Sequence, residues 1–232
     1  ECMLNKSVAV IDVRSSEITA VVAERGVNKT FIIKSSFTAN YDGYAEGQLL
    51  DARGFGEALA SVMKRTLAAC GDRAGTVWVG VPGEFTRIVN TDNVLSFQGT
   101  RKVKRADIVS LERSSLPEAG KGWELVRSGC LYYVLSDMRR IVDPVGMLTD
   151  SLRGRLCHYL CSSSFCECVR NALSQFRSVS AVNFIPAVHA EAMYLIPPER
   201  RDEYAVLLDL GFISSSYSVA CGNGVVSVSY TH

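Results

Sequence analysis

The sequence predicts an α/β layer fold, and three observations carry that expectation. Strand-length apolar runs alternate with segments whose apolar residues recur at helical spacing, the pattern of a layered α/β protein. Two strand–turn–strand hairpins stand far apart in the chain, and each closes its first strand with an acidic residue. One runs Val8-Ala9-Val10-Ile11-Asp12, Val13-Arg14-Ser15-Ser16, then Ile18-Thr19-Ala20-Val21-Val22. The other runs Ala205-Val206-Leu207-Leu208-Asp209-Leu210-Gly211-Phe212, then Ile213-Ser214-Ser215-Ser216-Tyr217. A β-β-β-α-β order at the start begins again at the final hairpin, a weak internal repeat.

Taken in order, strands are expected near 8–13, 17–24 and 30–37, the last two joined by a turn at Gly26-Val27-Asn28. A helix follows over 52–69, with Asp51 as N-cap, Phe55, Leu59, Val62, Met63 and Leu67 on its apolar face, and Gly71 to stop it. Another strand at 76–81 ends in Pro82-Gly83. From about 90 to 162 short strands surround one helix near 105–115, in the order β-α-β-β-β. Leu131 to Leu135, Arg140 to Val142 and Leu152 to Leu160 are the strand candidates. A helix over about 163–177 comes next, capped by one of Ser162 to Ser164, with Cys166, Val169, Leu173 and Phe176 facing inward. A strand at 180–185, a helix at 187–195 and the second hairpin complete the chain.

The 232 residues are 47% hydrophobic and 21% charged, ordinary values for a chain that buries a core. A formal net charge of +1 gives no reason to expect nucleic acid as a partner. The densest basic run, Arg101-Lys102-Val103-Lys104-Arg105, is read as a solvated segment before a helix. No apolar run approaches the roughly 20 residues that span a bilayer, and no secretory leader is visible. Eight cysteines are present. Cys157, Cys161, Cys166 and Cys168 with His158 are close in sequence but lack zinc-knuckle spacing, and are read as buried free thiols rather than metal ligands.

Five segments together resemble the FtsA family, the actin-like proteins of bacterial cell division, over essentially the whole chain. They are the two hairpins, Val77-Trp78-Val79-Gly80-Val81-Pro82-Gly83, Arg140-Ile141-Val142-Asp143-Pro144-Val145-Gly146-Met147, and Pro186-Ala187-Val188-His189-Ala190-Glu191-Ala192. The resemblance implies an actin-like ATPase (ribonuclease H-like) α/β domain with an inserted small α+β subdomain of the SHS2 type. Residues 8–90 would form the first part of the actin-like domain, 91–162 the insertion, and 163–232 the remainder plus the first hairpin of a second domain. The chain is read as a fragment, with most of that second domain beyond residue 232.

In that family one turn presents backbone N–H groups and hydroxyls to nucleotide phosphates, and the carboxylates hold Mg²⁺ through water. The resemblance carries this to Asp12, Arg14, Ser15 and Ser16 on the first hairpin and to Asp209, Gly211, Ser214 and Ser215 on the second. Asp12 and Asp209 are the candidate magnesium residues, expected to face one cleft, and ATP with Mg²⁺ is the expected cofactor. Both turns depart from the family pattern. Arg14 replaces a glycine that would allow close approach to phosphate at positive φ; its charge could pair with phosphate, or its bulk could fill the site. Glu17 stands where the family commonly has lysine. Phe212-Ile213 replaces small residues of the second loop. The chain is therefore expected to be at most a weak ATPase and more a non-catalytic scaffold. No Walker-type loop, Gly-x-Ser-x-Gly or His-Glu-x-x-His is present. His189 beside Glu191 is read as structural rather than as a base.

The resemblance implies self-association into filaments, recruitment of divisome proteins including the tubulin-like ring protein, and membrane attachment through a C-terminal segment not contained here. It places the protein in the cytoplasm, at the inner face of the membrane at the division site. Two further expectations stand beside it: an actin-like scaffold of pilus assembly, and an active ATPase or small-molecule kinase of the same superfamily.

Overall fold

A computed structural model of the chain describes residues 7–71, 75–210 and 215–231. In chain order the elements are β1 (Ser7–Val13), β2 (Glu17–Arg25), β3 (Phe31–Asn40), β4 (Tyr44–Ala45), β5 (Gln48–Leu49), α1 (Ala52–Ala68), β6 (Gly75–Val81), β7 (Thr86–Lys102), α2 (Arg105–Ser114), β8 (Trp123–Leu135) and β9 (Arg140–Ile141). There follow β10 (Leu148–Ser162), α3 (Ser163–Leu173), β11 (Val179–Pro186), α4 (Ala187–Leu195), β12 (Ala205–Leu210), β13 (Ser215–Cys221) and β14 (Gly224–Thr231). Two compact units form, Glu1–Phe85 with Cys161–Pro186, and Thr86–Leu160 with Ala187–His232.

The first unit is built on a five-stranded sheet in the order β11-β6-β1-β2-β3. β1, β6 and β11 run parallel, while β2 and β3 fold back antiparallel. Strict alternation puts Ala9, Ile11, Val13, Ile18, Ala20, Val22, Val77, Val79 and Val81 in the core. Helices α1 and α3 lie against each other and supply the rest of that core. Phe55, Leu59, Val62 and Met63 of α1 are fully buried, as are Cys166 and Val169 of α3. Burying each large side chain of this set stabilises the unit by roughly 1.5–3 kcal/mol. The Phe55 and Phe165 rings lie 5.8 Å apart, and Phe85 stacks on Phe165 at 4.6 Å.

The ends of α1 follow from its sequence. The Arg53 N–H donates to Asp51 Oδ1 at 3.0 Å, satisfying one of the orphan amides of the first turn. Gly71, at φ +74°, turns the chain away after the last helical turn. The α3 helix differs from expectation at both ends. Ser162 stands at its N-cap without a side-chain capping bond, its hydroxyl lying 2.9 Å from that of Ser164 instead. It stops at Leu173, because the Phe176 N–H folds back onto the Leu173 carbonyl; Phe176 continues the apolar spacing but sits in a turn.

The second unit holds two sheets, β7-β10-β8-β9 and β12-β13-β14. Its first five elements follow the expected order β-α-β-β-β, but the strands are longer than their apolar runs suggest. β8 begins at Trp123 and β10 at Leu148, ahead of the expected Leu131 and Leu152, and β7 spans 17 residues. Ladder pairing extends a strand through polar positions such as Thr149 and Asp150, where side-chain hydropathy gives no signal. Helix α2 sets Ile108 and Leu111 on Tyr133, Leu135, Leu152 and Leu156. The basic run before it is only partly solvated. Val103 is buried, and Arg101 binds Asp107 in a two-pronged pair at 2.8 and 2.8 Å. Helix α4 sets Val188 and Ala192 on Leu131, Tyr159, Ala220 and Val225.

Candidate phosphate turns and their surroundings

The first hairpin brings Asp12, Arg14, Ser15 and Ser16 together at the end of β1. Asp12 is the penultimate residue of the strand, opposite Thr19 on β2 and Gly80 on β6. A Cβ at position 80 would lie 3.7 Å from Asp12 Oδ1, so Gly80 keeps the flank of that carboxylate open. Arg14 does not extend away from the turn. Its Nε donates to Asp12 Oδ2 at 2.9 Å, and its Nη1 to Glu17 Oε1 at 3.2 Å. The neighbouring Asp12 carboxylate raises the Arg14 pKa above its ordinary value. The arginine that replaces glycine thus shares its one positive charge between Asp12 and the glutamate that replaces lysine, leaving the three groups one negative charge in excess. Both pairs are half exposed to water and are worth no more than about 1 kcal/mol each.

The backbone of the turn is braced from the loop after β3. The Arg14 N–H is taken by the Glu17 carbonyl at 2.9 Å, and the Ser16 carbonyl accepts from the Tyr41 N–H at 3.1 Å. The Tyr41 hydroxyl donates to the Arg14 carbonyl, and burial raises its pKa. Gly43, at φ +91°, lies so close that a Cβ there would meet the Ser15 carbonyl oxygen at 2.4 Å. The hydroxyls of Ser15 and Ser16 make no hydrogen bond among the described residues and remain available to a ligand.

These residues fit a phosphate group better than they fit a metal. Two free hydroxyls on an exposed turn are donors suited to phosphate oxygens. A hydrated Mg²⁺ at Asp12 would compete with the guanidinium that already neutralises that carboxylate. The Arg14 N–H, tied to Glu17, is not offered to a phosphate.

On the second hairpin, Asp209 is exposed near the end of β12, opposite Ser216, and Ser215 opens β13 opposite Leu210. Gly211, Phe212, Ile213 and Ser214 lie outside the described residues. β12 is not a buried strand: Val206, Leu208 and Leu210 are 68, 63 and 74% exposed, so its apolar run covers only one face of the three-stranded sheet.

His158, His189 and three of the free cysteines are engaged inside the second unit. His158 is buried on β10, with Nε2 2.9 Å from Thr91 Oγ1 and Nδ1 2.9 Å from Ser128 Oγ. Burial lowers its pKa. His189 is buried on α4 between Tyr159 and Arg127, and desolvation lowers its pKa to about 4. Cys130, Cys157 and Cys221 are buried free thiols with raised pKa values, chiefly through desolvation. Among the described residues no group of three or more His, Cys, Asp or Glu side chains is placed to hold a metal ion. Nor is any helix long and apolar enough to cross a membrane.

No family model matches the chain, and no curated protein matches it. Solved structures do. The chain is similar to the PilM-PilN type IV pilus biogenesis complex, at 15% identity and a TM-score of 0.60, over 96% of this chain and 60% of that one. It is also similar to the ethanolamine utilization protein EutJ from Carboxydothermus hydrogenoformans, at 7% identity and a TM-score of 0.50, over 100% of this chain and 53% of that one. The chain therefore spans little more than half the length of these structures. The fold is the actin-like ATPase fold.

Proposed function

We propose that the chain is part of an actin-like scaffold of bacterial cell division, acting at the inner face of the cell membrane by binding partner proteins rather than by turning over nucleotide. The observation that carries this reading is the first phosphate turn. In an actin-like fold, the position that should be glycine is an arginine paired with Asp12 and Glu17. In this proposal the candidate nucleotide residues are Asp12, Arg14, Ser15 and Ser16 on the first hairpin and Asp209, Gly211, Ser214 and Ser215 on the second. ATP binds weakly at the first turn, through Ser15 and Ser16, and Mg²⁺ contributes little while Arg14 holds Asp12. The division of the chain at 8–90, 91–162 and 163–232, with an SHS2-type middle part, belongs to the same proposal. So do self-association into filaments and contact with the tubulin-like ring protein.

A second reading, a scaffold of pilus assembly, draws support from the fold's likeness to the PilM-PilN complex. A fluorescent fusion expressed from the native locus separates the two. Division predicts a band at midcell that disappears when the tubulin-like ring is depleted. Envelope foci that ignore the ring, with lost pili and normal septa on deletion, would overturn the division reading in favour of the pilus one.

A further inference from the structure

The second unit contains a cavity of about 460 Å³ lined from α2, β8, the loop after β9, α4 and the β13–β14 turn. That volume is within the range of small-molecule sites. Four of its lining side chains are charged: Arg105, Arg127, Glu112 and Asp143. None of the four is in an ion pair among the described residues. Two positive and two negative groups therefore face one cavity without satisfying one another.

One of these charges is held by a buried relay. Arg127 Nε donates to His189 Nε2 at 2.9 Å. Arginine has no acceptor, so His189 Nε2 accepts, and the neutral ring carries its proton on Nδ1. Nδ1 then donates to the Tyr159 hydroxyl at 2.9 Å, which also accepts the Val225 N–H at 2.9 Å. His189 and Tyr159 are 4 and 0% exposed. Four elements thus fix the Nε end of one guanidinium, while its two terminal amino groups have no partner among the described residues. A guanidinium anchored at Nε presents a planar fork, the geometry that receives a carboxylate on two parallel bonds.

We propose that this cavity binds a free α-amino acid with an apolar side chain, its carboxylate received by the Arg127 fork and its ammonium by Glu112 and Asp143. The zero net charge of the lining disfavours a purely anionic ligand such as phosphate, which gains from two arginines but is repelled by two carboxylates. Ile108, Val142, Pro144 and Met193 line the same cavity and give the apolar side chain a surface to cover. The site lies wholly within the second unit and owes nothing to the nucleotide reading.

Calorimetric titration of the 232-residue protein with L-leucine, L-methionine and L-phenylalanine tests this. Binding with a Kd of about 1 mM or tighter is expected for at least one of them. For leucine, 4-methylpentanoate and isoamylamine lack one charged group each, and each should bind about tenfold more weakly or worse. Arg127→Ala should weaken leucine at least about tenfold. Because that variant strips His189 of its donor and can lose stability, Glu112→Gln provides an independent arm. It leaves the relay intact and should narrow the preference for leucine over 4-methylpentanoate. The proposal is overturned if none of the three amino acids binds by about 10 mM. It is equally overturned if inorganic phosphate binds as tightly as leucine, or if Glu112→Gln leaves the leucine preference unchanged.

Discussion

Arg14 Nε lies 2.9 Å from Asp12 Oδ2, and the acceptor is the carboxylate that an actin-like site would turn toward a metal. The bond is local, two residues apart, and open to water. It cannot hold the turn shut against a strongly bound ligand, but it changes what the turn offers by replacing a negative charge with a neutral pair. Removing Arg14 should therefore cost little stability and should change ligand preference. Arg14→Gly is expected to shift the urea midpoint by an amount equivalent to about 1 kcal/mol or less. In calorimetry it should strengthen Mg²⁺-dependent ATP binding over the parent. Equal or weaker binding in the variant would show that the guanidinium serves the phosphates and does not obstruct the site.

Gly222 carries the tightest backbone constraint in the second unit. At φ +57° it sits where an added Cβ would come within 1.5 Å of the Leu131 carbonyl oxygen, and its N–H donates to the Arg201 carbonyl at 2.6 Å. Gly222→Ala combines a left-handed conformation with a backbone clash that no side-chain rotation relieves. It should destabilise by about 3 kcal/mol or more. Gly120, at φ +77° with open space around its Cβ position, is the matched comparison. Gly120→Ala should cost only about 1 kcal/mol. Equal urea midpoints for the two variants would show that strand β8 shifts to admit the methyl group.

The α1 helix was fully legible in sequence, because cap, apolar face and stop are all local. Asp51, the Phe55–Leu59–Met63 stripe and Gly71 each act within a few residues. The first hairpin was legible as a hairpin for the same reason. That Arg14 would close onto Asp12 was not, since the sequence allowed it equally to reach a phosphate or fill the site. The brace from Tyr41 and Gly43 is not legible either, although Tyr-Asp-Gly is a turn signal, because its partners lie beyond the reach of local spacing. Arg127, Tyr159 and His189 were harder still. They come from a strand, another strand and a helix, and only tertiary pairing of β8, β10 and α4 unites them. β12 shows another limit: its unbroken apolar run does not tell which face is covered, and Val206, Leu208 and Leu210 stay exposed.

Asp107 ties strand β7 to helix α2 by accepting the Lys104 N–H at 2.8 Å while receiving both prongs of Arg101. The Arg101 hydrogen bonds, with that backbone bond, hold its pKa down to about 2. Its unfolded value is about 3.9. Stability from this carboxylate is thus fully present above about pH 4 and disappears as pH falls through about 2. Asp107→Asn should lower the urea midpoint at pH 7 and abolish that part of the acid loss. An unchanged pH profile between 2 and 4 would show that the Arg101 pair contributes nothing to folding.

His189 controls a higher pH window. Desolvation, with Arg127 and Arg201 nearby, lowers its pKa from about 6.5 to about 4. A base that is harder to protonate when folded favours the unfolded state as acid is added. The stability it preserves is complete above about pH 6.5, declines as pH falls, and is fully lost below about pH 4. The loss is on the order of 3 kcal/mol. Protonation also turns Nε2 from acceptor to donor, so the Arg127 Nε bond must break at the same step. His158, whose pKa burial also lowers, adds loss of the same sign. Its two hydroxyl partners can rotate to accept, so it loses no bond. His189→Gln retains an acceptor for Arg127 and a donor for Tyr159 without titrating, and should remove most of the decline between pH 6.5 and 4. Urea midpoints across that range in parent and variant give the comparison. Parallel curves would assign the acid sensitivity to His158 and show that the His189 relay stays intact through protonation.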